Sequence, residues 1–592
     1  MSSETKNCQS CKADFVIEPA DFAFYEKMKV PAPTWCPQCR LMRRFTWRNE
    51  RALYKRTCDL CKKDIIAMYP AEASFPVYCQ ECWYGDGWDA TQYARDYDFS
   101  KPFFVQFHEL LQVVPQIALQ VSQAVNSDYV NQVAKVKNCY LIASGSDNED
   151  CMYSYRILYS KDVVDSTFVG KLENSYEALQ CGESSGIFFG DDCVGSADLW
   201  FCSDAHSSQN CFMSSNVRNK SYVFRNKELS KEQYLDKMKA VDTGSCREIE
   251  KYREEYRALR ERRLHKYMEE KNSPDSTGNA VAHSKNAKHC FVTMNLEDCR
   301  YCLMIADAKD SYDVSNGCCV MERIYECSTT GVNAANNIFS ADVWPEVRDA
   351  AYSQSCRNDA ENLFGCVAIR KKKYCILNKE YSREEYEVLR EKIIKHMDEV
   401  PYADRKGRVY KFGEFFPPEL SIYAYNETPA QDFLPKTKEE VEAMGFDWKD
   451  IDHKKYSVDI KSEDLPDHIK DVPDDITKKV IGCRHEGGCN HQCPGAFRVT
   501  SAELSFYRRV NIPIPRLCSN CRHYERFAMT NPYQLWERNC QCEGVESSNK
   551  TYKNISSHVH GNKSCSNAFQ TSYAPSRSEV VYCKDCYQAE VI

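Results

Sequence analysis

A six-residue repeat constrains this chain more strongly than any other feature of its sequence. From residue 138 to residue 221, 14 consecutive hexads have a small or aliphatic residue at the second position, and most have a small one at the fifth. This pattern is typical of a parallel β-helix, in which each coil buries short side chains and stacks on its neighbours. The side chains predicted to point inward are Cys139, Cys151, Val163, Ile187, Cys193, Leu199 and Cys211.

The hexads also follow a longer period. Asn or Asp opens alternate hexads, at 138, 150, 162, 174, 198 and 210, which favours coils of 12 or 24 residues over 18-residue coils. A less regular second array ends as the first does, because NCFMSSNVRNKSYVFRNKELSKEQY aligns with NLFGCVAIRKKKYCILNKEYSREEY at an offset of 152. We therefore predict two β-solenoids, each followed by a helix that begins in a capping box at Ser230 or Ser382.

The composition decides how the cysteines are interpreted. The chain has 592 residues, 34 cysteines and a net charge of -8, which argues against attraction to nucleic acid over the whole surface. It has no apolar run of about 18 residues, and MSSETKNCQSC does not resemble a signal peptide. We therefore expect a cytoplasmic protein with no membrane partner. In a reducing compartment, paired cysteines are more often metal ligands or redox centres than disulfides.

Four C-x-x-C pairs lie within the first 82 residues. Each pair forms a knuckle whose two thiolates face one ion, and two knuckles complete the tetrahedron that zinc prefers. A thioredoxin-like redox centre would be a single copy between a strand and a helix, so we favour zinc. Because four thiolates leave no open position, both sites are predicted to be structural. The ligands are Cys8, Cys11, Cys36 and Cys39, and then Cys58, Cys61, Cys79 and Cys82.

The C-terminal part of the chain repeats this plan. Residues 11–45 align with residues 493–527 at an offset of 482, and the next knuckle aligns at an offset of 504. The predicted ligands are Cys489, Cys493, Cys518 and Cys521, and then Cys542, Cys565, Cys583 and Cys586. Cys540 and His560 are alternatives to Cys542, whereas Cys483 and His485 are predicted not to be ligands. The predicted cofactor is thus four structural zinc ions.

These signals predict a mainly β, multidomain chain. Its segments are zinc ribbons at 1–57 and 58–100, a helical connector at 101–137, a β-solenoid at 138–228, a charged helical segment at 229–272, a linker at 273–287, a second β-solenoid at 288–380, a helix with an irregular connector at 381–482, and zinc ribbons at 483–535 and 536–592.

Several stretches together resemble a family of large, uncharacterised bacterial zinc-ribbon proteins. They are FVIEPADFAFYEKMKVPAPTWCPQCR, RNERALYKRTCDLC, DYDFSKPFF, GRVYKFGEFFPPELS and SFYRRVNIPIPRLCSNCRHYER, and the resemblance covers essentially the whole chain. It implies zinc, ribbons at both ends and repeats rich in Cys, Asn and Tyr between them, and it supplies no activity. Val163, Ser175 and Leu363 stand at Cys-like positions of the repeats, which favours packing over metal binding for the cysteines of the arrays.

The residues beside the knuckles favour binding over catalysis. No Walker loop, HExxH, GxSxG or dinucleotide fingerprint occurs, and no small-molecule substrate is evident. Arginines interleave with aromatic residues in CRLMRRFTWRNERALYKR, a combination that suits the phosphates and bases of single-stranded nucleic acid. The candidate nucleic-acid residues are Arg40, Arg43, Arg44, Trp47, Arg48, Arg51, Arg508, Arg509 and Arg522.

Three alternatives stay open at this point. The arginines could instead pair with the chain's own carboxylates and brace the knuckles. The solenoid faces could form a scaffold that binds a protein partner. An acyltransferase-like enzyme could use His206, because acyltransferases with this style of repeat have a histidine on the solenoid. We predict a non-enzymatic zinc protein that binds a macromolecule, with RNA or DNA, alone or in a nucleoprotein complex, ahead of a protein partner.

Overall fold

Two parallel β-solenoids form the middle of the chain, and cysteine clusters lie towards both ends. The computed structural model describes residues 2–450 and 456–592. It is mainly β, with 14 strands in each solenoid, and this confirms the predicted fold class. Among the described residues, no helix combines the length and the apolar character needed to cross a membrane.

The first solenoid is a stack of 12-residue coils. Its strands pair in parallel, with Ile187 opposite Leu199 and Leu199 opposite Cys211. This coil length is one of the two that the sequence favoured. The strands are Val121–Val125, Asn131–Lys137, Ala143–Glu149, Tyr155–Leu158, Lys161–Val164, Thr167–Tyr176, Gly182–Phe188, Asp191–Val194, Ala197–Trp200, Ser203–His206, Gln209–Phe212, Ser215–Arg218, Ser221–Phe224 and Lys227–Glu228.

Left-handed backbone at every third residue gives each coil four corners. From Gln123 to Arg225 every third residue has a positive φ. Asn and Asp tolerate this conformation better than most other residues, which explains why they recur at one corner. Asn126 Nδ2 donates to Asn138 Oδ1 at 2.9 Å, and Asn138 Nδ2 donates to Asp150 Oδ1 at 3.0 Å. The corner side chains thus form a hydrogen-bonded ladder along the solenoid.

The inward side chains form one continuous core. All seven residues that were predicted to point inward are buried and belong to a single hydrophobic cluster. Cysteine serves here as a small apolar residue, as the sequence predicted. The thiol of Cys151, for example, donates to the carbonyl oxygen of Glu149 at 3.2 Å.

Both solenoids begin earlier than predicted. The first begins at Val121, inside the segment that was predicted to be a helical connector. The second begins at Glu270–Lys271, and its next strands occupy the predicted linker. The early coils have Val, Ala and Ser at inward positions where later coils have Cys, so the hexad signal is weaker there. Val133 and Val136 are examples of such buried inward residues.

The second solenoid changes its coil length along its axis. Leu303 lies opposite Ser315, twelve residues on, whereas Tyr312 lies opposite Tyr325, thirteen residues on. The extra residue sits at a corner where two consecutive residues have positive φ, as at Cys319 and Val320. Each added residue shifts the positions of the hexad repeat in the coils that follow. This explains why the six-residue pattern of the second array is less regular in the sequence.

The strands of the second solenoid are Glu270–Lys271, Gly278–Ala282, Lys285–Lys288, Cys290–Arg300, Leu303–Lys309, Tyr312–Cys318, Met321–Glu322, Tyr325–Gly331, Ala334–Ala335, Ala341–Val343, Arg348–Ala351, Glu361–Phe364, Lys373–Ile376 and Lys379–Glu380. Each solenoid ends in a two-residue strand that turns back antiparallel on the strand before it. A helix then begins after Ser230 or Ser382, and both serines form the predicted capping boxes. These helices are Lys231–Met238, followed by Cys246–Arg262, and Arg383–Glu399.

The two solenoids lie side by side and run in opposite directions. Gln120 lies near the start of the first solenoid, and Asp342 lies late in the second. Gln120 Nε2 donates to Asp342 Oδ2 at 2.8 Å. Arg156 lies further along the first solenoid, and it contacts a residue that lies earlier in the second. Arg156 Nη2 donates to Asn316 Oδ1 at 2.6 Å. One uncovered side of the first solenoid has a ladder of alternating charges, in which Glu149 pairs with both Lys137 and Lys161.

The remainder of the described chain consists of short strands, helices and irregular segments. The N-terminal strands are Glu4–Asn7, Asp14–Ile17, Tyr54–Thr57, Asp64–Ala67, Val77–Tyr78 and Gln116–Ile117, and the helices there are Pro19–Met28, Pro37–Phe45, Gln80–Tyr84 and Phe103–Leu111. The later strands are Leu264–Lys266, Tyr402–Ala403, Val409–Tyr410, Ile481–Gly482, Ala496–Phe497, Trp536–Asn539, Ala568–Thr571 and Val580–Tyr582. The later helices are Pro429–Phe433, Lys438–Ala443, Ser501–Val510, Ser519–Phe527 and Lys584–Val591.

Candidate metal centres

Four groups of four cysteines bring their thiols within 4.8 Å of one another. The first group is Cys8, Cys11, Cys36 and Cys39, and the second is Cys58, Cys61, Cys79 and Cys82. Both have the composition that the sequence predicted. The third group is Cys483, Cys493, Cys518 and Cys521, and the fourth is Cys540, Cys565, Cys583 and Cys586. Each of the last two differs from the prediction by one residue.

The same local geometry builds all four groups. In each, the third cysteine is the N-cap of a helix, and its amide N–H donates to the Sγ of the first cysteine. A helix N-terminus and an amide donor both stabilise a thiolate relative to a thiol. The N-to-Sγ distances are 3.2 Å for Cys36 and Cys8, 3.3 Å for Cys79 and Cys58, 3.3 Å for Cys518 and Cys483, and 3.2 Å for Cys583 and Cys540.

The close thiols also shift one another's pKa values. Hydrogen bonds from Cys36 and Cys39 hold the pKa of Cys8 well below that of an ordinary thiol. A hydrogen bond from Cys540 lowers the pKa of Cys583 to about 4. The same hydrogen bonds raise the pKa of the partner thiols Cys39 and Cys540. It is therefore the convergence of four thiols, rather than the titration of any one of them, that suits each group to a cation. Four thiolates fill a tetrahedral site and leave no position for a substrate, which is the pattern of a structural metal site.

In the third group, Cys483 takes the place that the sequence assigned to Cys489. Cys483 accepts the amide hydrogen bond of Cys518, the same contact that Cys8 accepts in the first group. Cys489 stands four residues before Cys493, closer to the spacing of a C-x-x-C knuckle than Cys483, which stands ten residues before it. A long loop between Cys483 and Cys493 replaces the two-residue knuckle of the first group.

In the fourth group, Cys540 takes the place that the sequence assigned to Cys542. Cys540 directly follows the strand Trp536–Asn539, as Cys58 follows the strand Tyr54–Thr57. The offset of 482 carries Cys58 onto Cys540, and this signal in the sequence was overlooked. The thiol of Cys542 is buried and accepts a hydrogen bond from Asn554 Nδ2 at 3.3 Å instead.

These assignments predict different metal contents for two neighbouring variants. Cys540→Ser should lose one metal ion per chain relative to the wild type, because it removes one of four ligands. Cys542→Ser should keep the full metal content, since its thiol lies outside the four. Elemental analysis of the purified proteins measures both. Loss of an ion from Cys542→Ser alone would reverse the assignment.

The arginines beside the first group are buried in ion pairs with the second solenoid. Arg40 Nη2 lies 2.8 Å from Asp313 Oδ2, and Arg44 Nη1 lies 2.9 Å from Asp313 Oδ1. Arg43 bridges Glu326 and Glu414, and its guanidinium also lies over the ring of Trp35. We call the arrangement of Arg40 and Arg44 around one carboxylate the Asp313 clamp.

The C-terminal copy repeats the clamp on the other solenoid. Arg522 Nε lies 2.9 Å from Asp165 Oδ2, and Arg526 Nη1 lies 3.0 Å from Asp165 Oδ1. We call this the Asp165 clamp. The two clamps cross, because the arginines beside the first cysteine group contact the second solenoid and those beside the third group contact the first solenoid. Asp165 and Asp313 occupy equivalent corners, each with a left-handed backbone.

The buried positions correct the nucleic-acid assignment of six residues. Trp47 is only 3% exposed and packs against Phe416. Arg48 pairs with Glu50 in the interior. A buried and paired guanidinium cannot reach a phosphate, and a buried indole cannot stack on a base. The six residues whose burial excludes these contacts are Arg40, Arg43, Arg44, Trp47, Arg48 and Arg522. The alternative that these arginines brace the knuckles fits the observed contacts.

The other three candidate residues lie nearer the surface. Arg51 is half-buried and lies 3.4 Å from Asp432. Arg508 pairs with Asp474 at 2.6 Å, and Arg509 pairs with Asp162. Each keeps part of its side chain in solvent, and a nucleic-acid role for these three stays an untested prediction.

His206, the candidate base of an acyltransferase, lies between two carboxylates. Its Nε2 is 3.5 Å from Asp192 Oδ1 and 3.5 Å from Asp204 Oδ1. Although burial opposes it, the hydrogen bond to Asp192 raises the pKa of His206. His206 thus lies in contact with two carboxylates of the solenoid, and a catalytic role stays untested.

Neither the models of known protein families nor the curated proteins contain a match to this chain. The resemblance to bacterial zinc-ribbon proteins therefore stays a prediction.

Proposed function

We propose that this chain is a non-enzymatic, zinc-stabilised scaffold of the cytoplasm that binds an extended segment of a partner protein. The four cysteine groups support zinc as the metal, because four thiolates in a closed tetrahedral site suit zinc better than magnesium or calcium. All 34 cysteines are free, which supports a reducing compartment.

The crossed clamps support a bracing role for the terminal groups. Both clamps direct buried arginines of the cysteine-rich ends onto the solenoids, so the basic residues are used inside the molecule. A rigid double solenoid with braced sides has the properties of a scaffold. The outer sides of the solenoids and the first coil of the first solenoid remain exposed.

The observation that carries the proposal is the open first coil. The strand Val121–Val125 pairs with Asn131–Lys137 on one edge, and no described strand pairs with its other edge. Ala124 stands at an inward position opposite Val136, yet it is exposed because no coil covers it. Val125 is 62% exposed. By contrast, the far end of each solenoid is closed by a hairpin strand.

An open β-edge with exposed apolar side chains is complementary to an extended peptide. A partner segment can add one strand to Val121–Val125 and continue along the charged ladder beside it. A second copy of this chain would meet the same edge as a rigid body. Five residues on each side would bury far less than the roughly 1,600 Å² of a standard stable interface. A partner segment can add contacts along the charged ladder beyond these five residues, and we therefore assign the edge to a partner segment.

The test begins with partners recovered from the cell of origin and ends with a direct measurement. The tagged chain is purified with and without nuclease, and the binding segment of a recovered protein is mapped and synthesised. Titration of this peptide into the purified chain should protect the amides of residues 121–125 from hydrogen exchange. Ala124→Lys/Val125→Lys should weaken binding at least about tenfold, or 1.4 kcal/mol, because charges block strand addition.

A matched control separates edge binding from general surface effects. Leu235→Lys adds a charge at a side chain that is 46% exposed on the helix Lys231–Met238, which follows the far end of the first solenoid, and should bind as the wild type does. Unchanged binding by the double variant would remove the open edge as the site. Recovery that depends on nucleic acid would instead favour the RNA or DNA prediction, and self-association through the edge would favour a second copy.

A further inference from the structure

The third cysteine group has a second set of metal-ligating side chains beside it. The loop 484–492 contains His485, Cys489 and His491, and their ligand atoms lie within 4.8 Å of one another and of Cys521 Sγ. The corresponding knuckle of the first group has two residues, neither of them His or Cys. The longer loop has thus added three ligand side chains next to a thiol that already belongs to a complete group.

The individual contacts converge on Cys521. His485 Nδ1 lies 3.2 Å from Cys521 Sγ, and Cys489 Sγ lies 3.6 Å from it. His491 Nδ1 is buried and has no hydrogen-bond partner among the described residues. The ring of His491 stacks on Tyr524, which fixes its orientation. A buried imidazole nitrogen without a partner is unfavourable unless something binds it.

The number of donors exceeds what one ion can use. Cys483, Cys493 and Cys518 with Cys521 already provide four thiolates, the full coordination of a structural zinc. His485, Cys489 and His491 would be surplus in a site with one ion. With Cys521 as a shared ligand, they form a second set of two nitrogens and two sulfurs, which zinc also accepts.

We propose that the third cysteine group is a binuclear zinc centre in which the Cys521 thiolate bridges two ions. The first ion has four thiolate ligands, and the second has His485, Cys489, His491 and the shared Cys521. Neither ion has an open position, so the second is also structural and holds the long loop 484–492 in place. The inference rests on the proposed zinc occupancy of the third group.

Metal analysis of the full-length protein tests the count. The four cysteine groups alone would bind four zinc ions, and the second set adds one, so we expect five per chain. The double variant His485→Ala/His491→Ala should lose the added ion. His283→Ala, which changes an exposed histidine elsewhere, should keep the wild-type content. Four ions in the wild type would overturn the second site and leave the zinc proposal intact, whereas absence of zinc would overturn both.

Cadmium-113 NMR of the wild type tests the bridge without relying on a variant that could misfold. Two of the resonances should be split by coupling between cadmium ions through the Cys521 sulfur. The splitting should vanish in His485→Ala/His491→Ala, while the resonance of the four-thiolate ion persists. Five resonances without splitting would contradict the shared thiolate, and four would contradict the second ion.

Discussion

Replacing Asp313 with alanine should lower the free energy of unfolding by about 3–5 kcal/mol, the cost of breaking a buried ion pair by removing one partner. Asp313 is the only carboxylate within ion-pair distance of Arg40 and of Arg44 among the described residues, and all three side chains are buried. Without it, two guanidinium charges stay buried and uncompensated. Urea unfolding of the zinc-loaded protein measures the effect.

A nearby ion pair provides the control. Lys27 Nζ lies 2.7 Å from Asp310 Oδ2 and also joins the N-terminal part of the chain to the second solenoid. The lysine side chain is 46% exposed, so Asp310→Ala should cost no more than about 1 kcal/mol. Asp165→Ala, in the other clamp, should behave as Asp313→Ala does. Equal effects of Asp313→Ala and Asp310→Ala would show that burial of the clamp contributes no stability.

The clamps illustrate what a single sequence does not reveal. The arginines of CRLMRRFTWRNERALYKR have the composition of a nucleic-acid site, and their partner carboxylates are remote in the chain. Arg40 and Asp313, for example, are 273 residues apart. Nothing in the local pattern of either segment specifies the pairing. Only the packing of the N-terminal helices on the second solenoid brings the opposite charges together.

Features that depend on local periodicity were predictable. The inward residues of the first solenoid follow from a repeat that lies entirely in neighbouring residues. The 12-residue recurrence of Asn and Asp, as at Asn138 and Asp150, follows from the same repeat. The N-terminal ligands follow from short C-x-x-C spacings. Prediction failed where an insertion changed the spacing, at Cys483 and Cys540, and where the coils lengthened to 13 residues near Tyr325.

Chelation of zinc should destabilise the solenoids as well as the cysteine-rich ends. Phe24, Trp35 and Trp47 share one hydrophobic cluster with Tyr312 and other solenoid residues. The ring of Phe24 stacks on that of Tyr312 with centroids 3.8 Å apart. Structural zinc contributes about 10–16 kcal/mol of binding free energy in small zinc-finger peptides, and most of this is coupled to folding. Loss of the ions should therefore detach the ends and expose the aromatic side of each solenoid.

We expect the melting temperature of the β structure to fall by at least about 10 °C. The solenoids should lose several kcal/mol of unfolding free energy, and for domains of 150–250 residues each kcal/mol lowers the melting temperature by roughly 2–4 °C. Far-UV circular dichroism with and without chelator measures it, and readdition of zinc should restore the original transition. Limited proteolysis then distinguishes two outcomes. If the ends were independent domains, cleavage would be confined to them and the solenoids would melt as before. If they brace the solenoids through the crossed clamps, as the buried Arg44 and Arg526 indicate, cleavage should extend into both arrays.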